Sequence, residues 1–438
     1  VGRDRQADAQ LKESLPMPSF LHAADLHIDS PLRTLERKEG APAARIRGAS
    51  RLAFARLVDA AIERRVSFVL LAGDLYDTRP AFETYLYFHQ QVDRLSKAGI
   101  PVAIVLGNHD HDGVAPRAER LPEGVHVFPP DAPSSLEIVP GVWVHGQSYP
   151  RRDVDSDLSA AYPRPVPGAL NIGLLHTALE GFSGGHERYA PSHPDALGAH
   201  GYAYWALGHV HATQLIERHA CHIVYPGNLQ GRHARETGPK GVVFVEYGSS
   251  GIHSIRPEAM DDVRWHQLIV DAAALPETPD PVRPIAEWIR RETAAAREAK
   301  RLAAVRLELH GAAPESLIRL GAEEIRESLR ATFAGDESIF LERIQITPAP
   351  AEMHEFDRQL TELIPQIAAR RKIWEELLEA ERQIRAELRK AGGPELVLAF
   401  QGIPGLDGPM SSQRAEQALA SSLGLVRELL RAANRRKA

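Results

Sequence analysis

The sequence predicts a mixed α/β (α+β) chain: a β-sandwich flanked by helices, then a small α/β domain and a C-terminal helical region. Three observations lead there. From Phe20 onward, apolar or β-branched runs of strand length alternate with helix-length amphipathic stretches. Near Pro257 the rhythm changes to a β-α-β-α-β order. Beyond Glu352 the text is rich in Glu, Arg and Leu at helical spacing.

Taken in order, residues 1–19 are polar, lack an apolar core and read as a flexible leader, with Met17 a candidate start. The domain from 20 to 256 opens with FLHAAD as a strand and a helix over Arg47 to Arg65. SFVLLAGD and IPVAIVLGNHD carry unbroken apolar runs up to their polar ends, as strands covered on both faces do, and Tyr85 to Ala98 between them has helical spacing. VWVHGQ, ALNIGLLH, AYWALGHVH, CHIVYPGN and GVVFVEY continue as strands with fewer helices between them. In the domain from 257 to 348, RWHQLIVDA, LAAVRLELHG and SIFLERIQITP are strands, separated by helices over Pro284 to Lys300 and Pro314 to Phe333. In 349–438, helices over Glu352 to Ala391 and Gln413 to Asn434 flank a Gly/Pro-rich linker.

Bulk properties exclude some functions. A chain of 438 residues exceeds one ordinary core. A formal net charge of -6 argues against a uniformly basic nucleic-acid coat, and leaves room for a local basic groove or a metal site that supplies its own positive charge. The single cysteine, Cys221, excludes an intramolecular disulfide and a zinc-thiolate cluster, and is compatible with a cytoplasmic location. No apolar run approaches the roughly 20 residues that a membrane-spanning helix needs, so no membrane partner is expected.

Chemistry concentrates at strand ends. FLHAADLHID supplies Asp25 and His27, LLAGDLYD supplies Asp74 and Asp77, and VLGNHD supplies Asn108, His109 and Asp110. NIGLLHTA ends on His176, and YWALGHVH on His209 and His211, whose i, i+2 spacing faces both imidazoles one way on an extended chain. One polar residue after an apolar strand is ordinary loop composition; five such ends, all bearing Asp, Asn or His, point to one crevice at the carboxyl edges of the strands. Gly73, Gly107 and Gly208 stand one residue before Asp74, Asn108 and His209, where close backbone approach is expected. Asp25, His27, Asp74, Asn108, His176, His209 and His211 supply enough donors for two divalent ions that share Asp74, with Mn²⁺, Fe²⁺ or Zn²⁺ suiting the mixed imidazole and carboxylate set. Two ions about 3.5–4 Å apart can hold a bridging hydroxide and clamp a phosphoryl group during in-line displacement. His109 is then left to stabilise phosphate or protonate the leaving oxygen, with Asp110 orienting its ring.

The ordered series D-x-H, GDLYD, GNHD, H and GHVH resembles the signature of the calcineurin-like metallophosphoesterases. The resemblance implies a four-layer β-sandwich flanked by helices. It further implies one ion on Asp25, His27, Asp74 and His211, and another on Asp74, Asn108, His176 and His209. HAADLHIDSPL, GDLYDTRP, HERYAP and YPGNLQGRHARETGPKGVVFVE look like the YhaO-like DNA repair exonucleases, relatives of the SbcD nuclease subunit. That likeness runs from Phe20 to about Tyr247. It implies a metal-dependent DNA exonuclease, favours Mn²⁺ over Fe²⁺, Zn²⁺ or Mg²⁺, and makes 257–348 a capping domain over DNA. It also implies that 349–438 docks an SMC-like coiled-coil ATPase, for which the apolar stripes from Ile364 to Leu388 and Leu419 to Leu430 would serve, and it allows a homodimer.

Some relatives carry histidine where this chain has Asp77, so Asp77 receives no catalytic role and is expected to orient a metal-binding side chain. Arg232, His233 and Arg235 are candidate phosphate contacts, weighed against a solvated loop. His22 reads as a packed residue, and His186, His193 and His200 as exposed. Two other functions share the motifs: a phosphomonoesterase or cyclic-nucleotide phosphodiesterase, and a metal-binding structural subunit that recruits the ATPase.

Overall fold

The computed structural model describes residues 17–32, 41–110, 121–181 and 189–349. The expected C-terminal helices and His186 lie outside these residues. The described residues form two compact units: one runs to Val270 and includes Pro279–Glu308 and Leu320–Ile346, and the other comprises Asp271–Thr278, Leu309–Arg319 and residues from Thr347. In the second, the Ser316 N–H donates to the Glu277 carboxylate at 3.1 Å.

The first half of the chain alternates strand and helix: β1 (Ser19–Ala23), α1 (Ala41–Glu63), β2 (Phe68–Ala72), α2 (Phe82–Lys97), β3 (Val102–Val105) and β4 (Val125–Val127). There follow β5 (Ser134–Val139), β6 (Val142–Gly146), β7 (Leu170–His176), α3 (Pro194–Ala199), β8 (Tyr204–Gly208), β9 (Gln214–Arg218) and β10 (Cys221–Tyr225). β11 (Gly241–Gly248) and β12 (Gly251–Ala259) form a hairpin, and β13 (Val263–Asp271) starts a new sheet. Beyond it come α4 (Val282–Glu292), α5 (Ala294–Glu298), β14 (Leu302–Ala312), α6 (Glu315–Leu320), α7 (Ala322–Phe333) and β15 (Ile339–Ala349).

Two six-stranded sheets have the orders β12-β11-β1-β2-β3-β4 and β5-β6-β7-β8-β10-β9, and a third is β13-β14-β15. β1 to β4 are parallel in register Ala23↔Leu71 and Ala72↔Val105, and β6, β7, β8 and β10 are parallel in the second sheet. Parallel strands need crossovers, and covered faces make them apolar throughout, which is why FVLLA and VAIV read as continuous apolar runs. Phe20, Leu70 and Val105 from one sheet meet Val144, Leu174 and Tyr204 from the other in one core. Leu21, Val69 and Ile104 point the opposite way, onto Phe54, Leu57 and Phe88 of α1 and α2. Trp205 and Ile223 cover the outer face of the second sheet together with Leu197 of α3. The order helix, sheet, sheet, helix makes four layers, and each fully buried large side chain contributes about 1.5–3 kcal/mol.

Helix α2 shows the local logic. Thr84, Phe88, Val92 and Leu95 recur at helical spacing and are its buried face. Arg94 and Lys97 occupy its last turn, and Gly99, at φ 72°, ends it with its N–H on the Ser96 carbonyl.

Several boundaries differ from the sequence reading. The leader ends earlier, because the Tyr247 N–H donates to the Pro18 carbonyl and Ser19 pairs with Glu246. β12 carries the first sheet past 256 to Ala259, and the compact unit does not divide there, because Trp265 and Val263 share a core with Ile46 and Ala49 of α1. The helix expected over Pro284 to Lys300 breaks at Thr293, and that over Pro314 to Phe333 breaks at Gly321, whose φ of 77° is left-handed.

Candidate metal centre

Parallel pairing aligns the carboxyl ends of β1, β2 and β3 in one sheet, and His176↔Gly208 aligns β7 with β8 in the other. The chain leaves these strands through Asp25, Asp74, Asn108, His176, His209 and His211, all buried. The turns are strained: φ is 51° at Asp25, 43° at His27, 52° at Asp74 and 105° at His209. Such conformations cost on the order of 1–3 kcal/mol each and persist where surroundings over-determine them. Here Asp25 N–H donates to the Gly73 carbonyl and His27 N–H to the Asp74 carbonyl, both at 3.0 Å, while His209 N–H donates to the Asp25 carboxylate at 3.0 Å.

The glycine before each donor has a steric reason. A Cβ on Gly107 would stand 2.2 Å from Asp74 Oδ1, and one on Gly208 would stand 1.7 Å from the Ala72 carbonyl oxygen. The backbones of the two sheets therefore approach closely enough for donors from both to meet.

Donor atoms of Asp25, His27 and His211 lie within 4.8 Å of one another, and so do those of Asp25, Asp74 and His176. His27 Nε2 is 3.4 Å from His211 Nε2, and His176 Nε2 is 3.0 Å from Asn108 Oδ1. Asp74 Oδ2 stands between the halves, 3.9 Å from His27 Nε2 and 3.5 Å from His176 Nε2. The ring of His209 lies beside these groups, its centroid 5.3 Å from that of His176. Burial, reinforced by the neighbouring Asp74 carboxylate, pushes Asp25 well above the usual carboxylate range. Burial also acts to raise Asp74, but attraction to the His176 and His27 rings, which acts while those rings are protonated, outweighs it and lowers the carboxyl to about 2. Burial, with Arg232 adding to it, draws His27 down to about 4, so its imidazole is neutral and able to ligate. Enclosed carboxylates beside neutral imidazoles suit divalent cations, whose charge offsets the cost of burying the acids. The donor set thus fits a two-ion centre.

Beyond the donors stand groups that orient them. Asp77 Oδ1 lies 2.8 Å from His27 Nδ1, off the axis of the ring N–H, and also accepts from the Ser30 hydroxyl through its other oxygen. His211 Nδ1 donates to Glu236 Oε1 at 2.7 Å, and His176 Nδ1 donates to the Ala72 carbonyl at 2.9 Å. Sequence reasoning missed Glu236. Its one signal was a lone acid in the basic run GRHARE.

Asp110 requires a correction. Its carboxylate accepts from the backbone N–H groups of Leu75, Tyr76 and Gly107 at 3.0–3.1 Å, which ties the β2 and β3 turns together. It does not orient His109, whose Nδ1 donates to the Asp77 carbonyl at 3.1 Å. His109 also anchors the centre through its backbone N–H, which donates to Asp74 Oδ1 at 3.1 Å.

A cleft of about 610 Å³ opens over the donors, lined by His109, Tyr189, Arg232, His233, Arg235 and Lys240 among others. The three candidate phosphate contacts therefore face the centre. Arg232 is already engaged, with Nη1 2.8 Å from Asp77 Oδ1. His22, as expected, is packed away, 3.0 Å from the Tyr204 hydroxyl.

A sandwich whose strand ends deliver paired carboxylates and imidazoles to one cleft defines a metal-dependent phosphoester hydrolase. The chain belongs to the calcineurin-like phosphoesterase family, whose model matches residues 18–213. Among its relatives is the uncharacterized metallophosphoesterase YhaO of Bacillus subtilis, 33% identical over 318 residues that cover 72% of this chain and 76% of that protein. The DNA double-strand break repair protein Mre11 of Haloferax volcanii is 26% identical over 50% of this chain and 49% of its own length. Its namesake from Sulfurisphaera tokodaii is 26% identical over 37% of this chain and 43% of that protein. Among the described residues no helix is long and apolar enough to cross a membrane.

Proposed function

We propose that this hydrolase is a Mn²⁺-dependent DNA exonuclease acting in repair. The observation that carries the reading is the basic lining of the cleft: Arg232, Arg235 and Lys240 beside the donor cluster, in a chain whose net charge is -6. Positive groups gathered at one opening favour a polyanion there. The Mre11 relatives, named for double-strand break repair, support DNA over a small ester.

In this reading Asp25, His27, Asp74 and His211 hold one ion, and Asp74, Asn108, His176 and His209 the other. When bound, the ions supply Lewis acidity that activates water and offsets the charge on a phosphoryl group. Arg235 and His233 grip phosphate oxygens. His109, with Nδ1 committed to the Asp77 carbonyl, offers Nε2 to deliver a proton to the leaving oxygen. The region from 349 to 438 docks a coiled-coil ATPase, and the protein is a cytoplasmic dimer.

The test incubates the purified chain with Mn²⁺ and end-labelled single- and double-stranded DNA, beside His109→Ala and a small bis-phosphodiester. Mn²⁺-dependent shortening of DNA that is lost in the variant supports the reading and gives the polarity. Cleavage of the small ester alone removes DNA as substrate and leaves a phosphodiesterase.

A further inference from the structure

The loop that carries Arg235 to the cleft is fixed from behind by the first residues of β13. Oε1 of the Gln230 amide accepts from the N–H groups of Asp262 and Val263 at 2.8 and 3.2 Å. Its Nε2 donates to the carbonyls of Val263 at 2.6 Å and Gly231 at 3.0 Å, so both donors and both lone pairs of this buried amide are used. The Trp265 indole N–H donates to the same Gly231 carbonyl at 2.8 Å, and Trp265 pairs with Thr237 in a parallel bridge. Between these two anchors Ala234 is buried in one core with Val263 and Trp265, while its neighbours His233 and Arg235 line the cleft. The start of β13 is itself held to α1, because the Asp262 carboxylate accepts from Arg45 at 2.7 Å and from Arg56 at 2.6 Å.

We propose that Gln230 and Trp265 are positioning residues that set where the loop presents Arg235 to a phosphate, so that the start of the third sheet governs DNA affinity through the loop alone. The inference rests on the reading above, in which Arg235 grips the DNA backbone. Gln230 and Trp265 are 4% and 1% exposed, so neither can touch DNA itself. Its physical basis is preorganisation. A guanidinium meets phosphate oxygens through directed, charge-assisted hydrogen bonds, and a loop already held in place loses less freedom when they form. The loop has little slack at its anchor, since a Cβ on Gly231 would stand 3.0 Å from both the Glu236 carbonyl oxygen and the Trp265 ring.

A double-mutant cycle read by DNA affinity tests this without turnover. The full-length chain carrying His109→Ala is titrated with fluorescent single- and double-stranded DNA by anisotropy over a range of salt. Gln230→Met keeps the side chain's length and removes its amide, and Trp265→Phe removes the N–H that meets Gly231. Each is measured alone and together with Arg235→Ala. Alone, each should weaken binding about three- to tenfold and lower the slope of log K against log salt toward that of Arg235→Ala. Added to Arg235→Ala, each should weaken binding less than about twofold. Urea unfolding shows that each variant is folded and reads any loss of stability separately; a variant that does not fold leaves the other to decide. Parent affinity and slope in either folded variant overturn the inference, whatever its stability, as does an equal loss of affinity with and without Arg235. A parent chain that binds no DNA overturns the DNA reading itself, and this inference with it.

Discussion

On the proposed function, replacing His109 should separate proton delivery from metal binding. Among the described residues its side chain makes one hydrogen bond, Nδ1 to the Asp77 carbonyl at 3.1 Å, which is worth about 1 kcal/mol net. The bond that holds Asp74 comes from the His109 backbone N–H, and alanine keeps it. His109→Ala should therefore fold, keep both metals and lose only the proton donor. A positioned acid contributes roughly 10²–10⁴ in rate, or about 3–5 kcal/mol at the barrier. Asp74→Ala, by contrast, removes the carboxylate that stands within 3.9 Å of imidazoles from both halves, and should lose metal and activity together. Single-turnover cleavage at saturating Mn²⁺, with metal content measured on the same samples, reads both quantities. Metal lost from His109→Ala in step with rate would refute the separation, and so would full metal occupancy in Asp74→Ala or a His109→Ala rate within about threefold of wild type.

Three further outcomes follow from the geometry. Burial pulls the His22 imidazole down to about 3 from an ordinary 6.5, so the unfolded chain binds a proton that the folded chain refuses. The stability this residue contributes is fully present above pH 6.5 and falls by up to about 1.4 kcal/mol per pH unit as pH drops toward 3; His22→Gln should flatten that slope in urea unfolding of the metal-free protein between pH 7.5 and 5. Gly208→Ala forces a methyl to 1.7 Å from the Ala72 carbonyl and 2.8 Å from His176 Nδ1, and should cost about 3 kcal/mol or more with loss of metal; a urea midpoint equal to wild type would show that the sheets part freely. Arg235→Ala, in the inert His109→Ala background, should reduce the slope of log K against log salt for DNA binding by about 0.7–0.9, with an unchanged slope removing Arg235 from the phosphate contacts.

What the sequence disclosed and what it hid divide by range. Strands β1, β2, β3, β7 and β8 were legible because each is a short run buried on both faces, and their polar ends were legible because almost every residue there is a donor. The edge strands were not. β5 alternates between half-buried and exposed positions, β4 has three half-buried residues, and β9 is stabilised by pairing with β10, a partner no local pattern names. Helix breaks at Thr293 and Gly321 were hidden for the opposite reason, since apolar spacing continues across both while the backbone turns. Glu236 lies 25 residues after His211, and nothing local marks it as the group that meets that imidazole. Asp110 was misread because adjacency in GNHD suggested a pair, whereas the backbone sends its carboxylate to N–H donors in the turns that follow two strands.

These misreadings share a cause that bears on function. The centre is assembled by features that oppose local preference: four donor residues in left-handed conformations, two buried carboxylates facing one another, and glycines where a side chain would collide. Each is unfavourable alone, and a sequence read for consistency has no reason to expect them together. Asp110 and Glu236 offset part of that cost, Asp110 by accepting from backbone N–H groups of the strand-end turns and Glu236 by accepting from the His211 imidazole. A divalent cation held there would relieve the Asp25 and Asp74 repulsion that the fold imposes. The strain at the strand ends and the affinity for divalent metal would then be two sides of one free energy, so chelator should lower the urea midpoint of the metal-loaded protein, and an unchanged midpoint would separate the two.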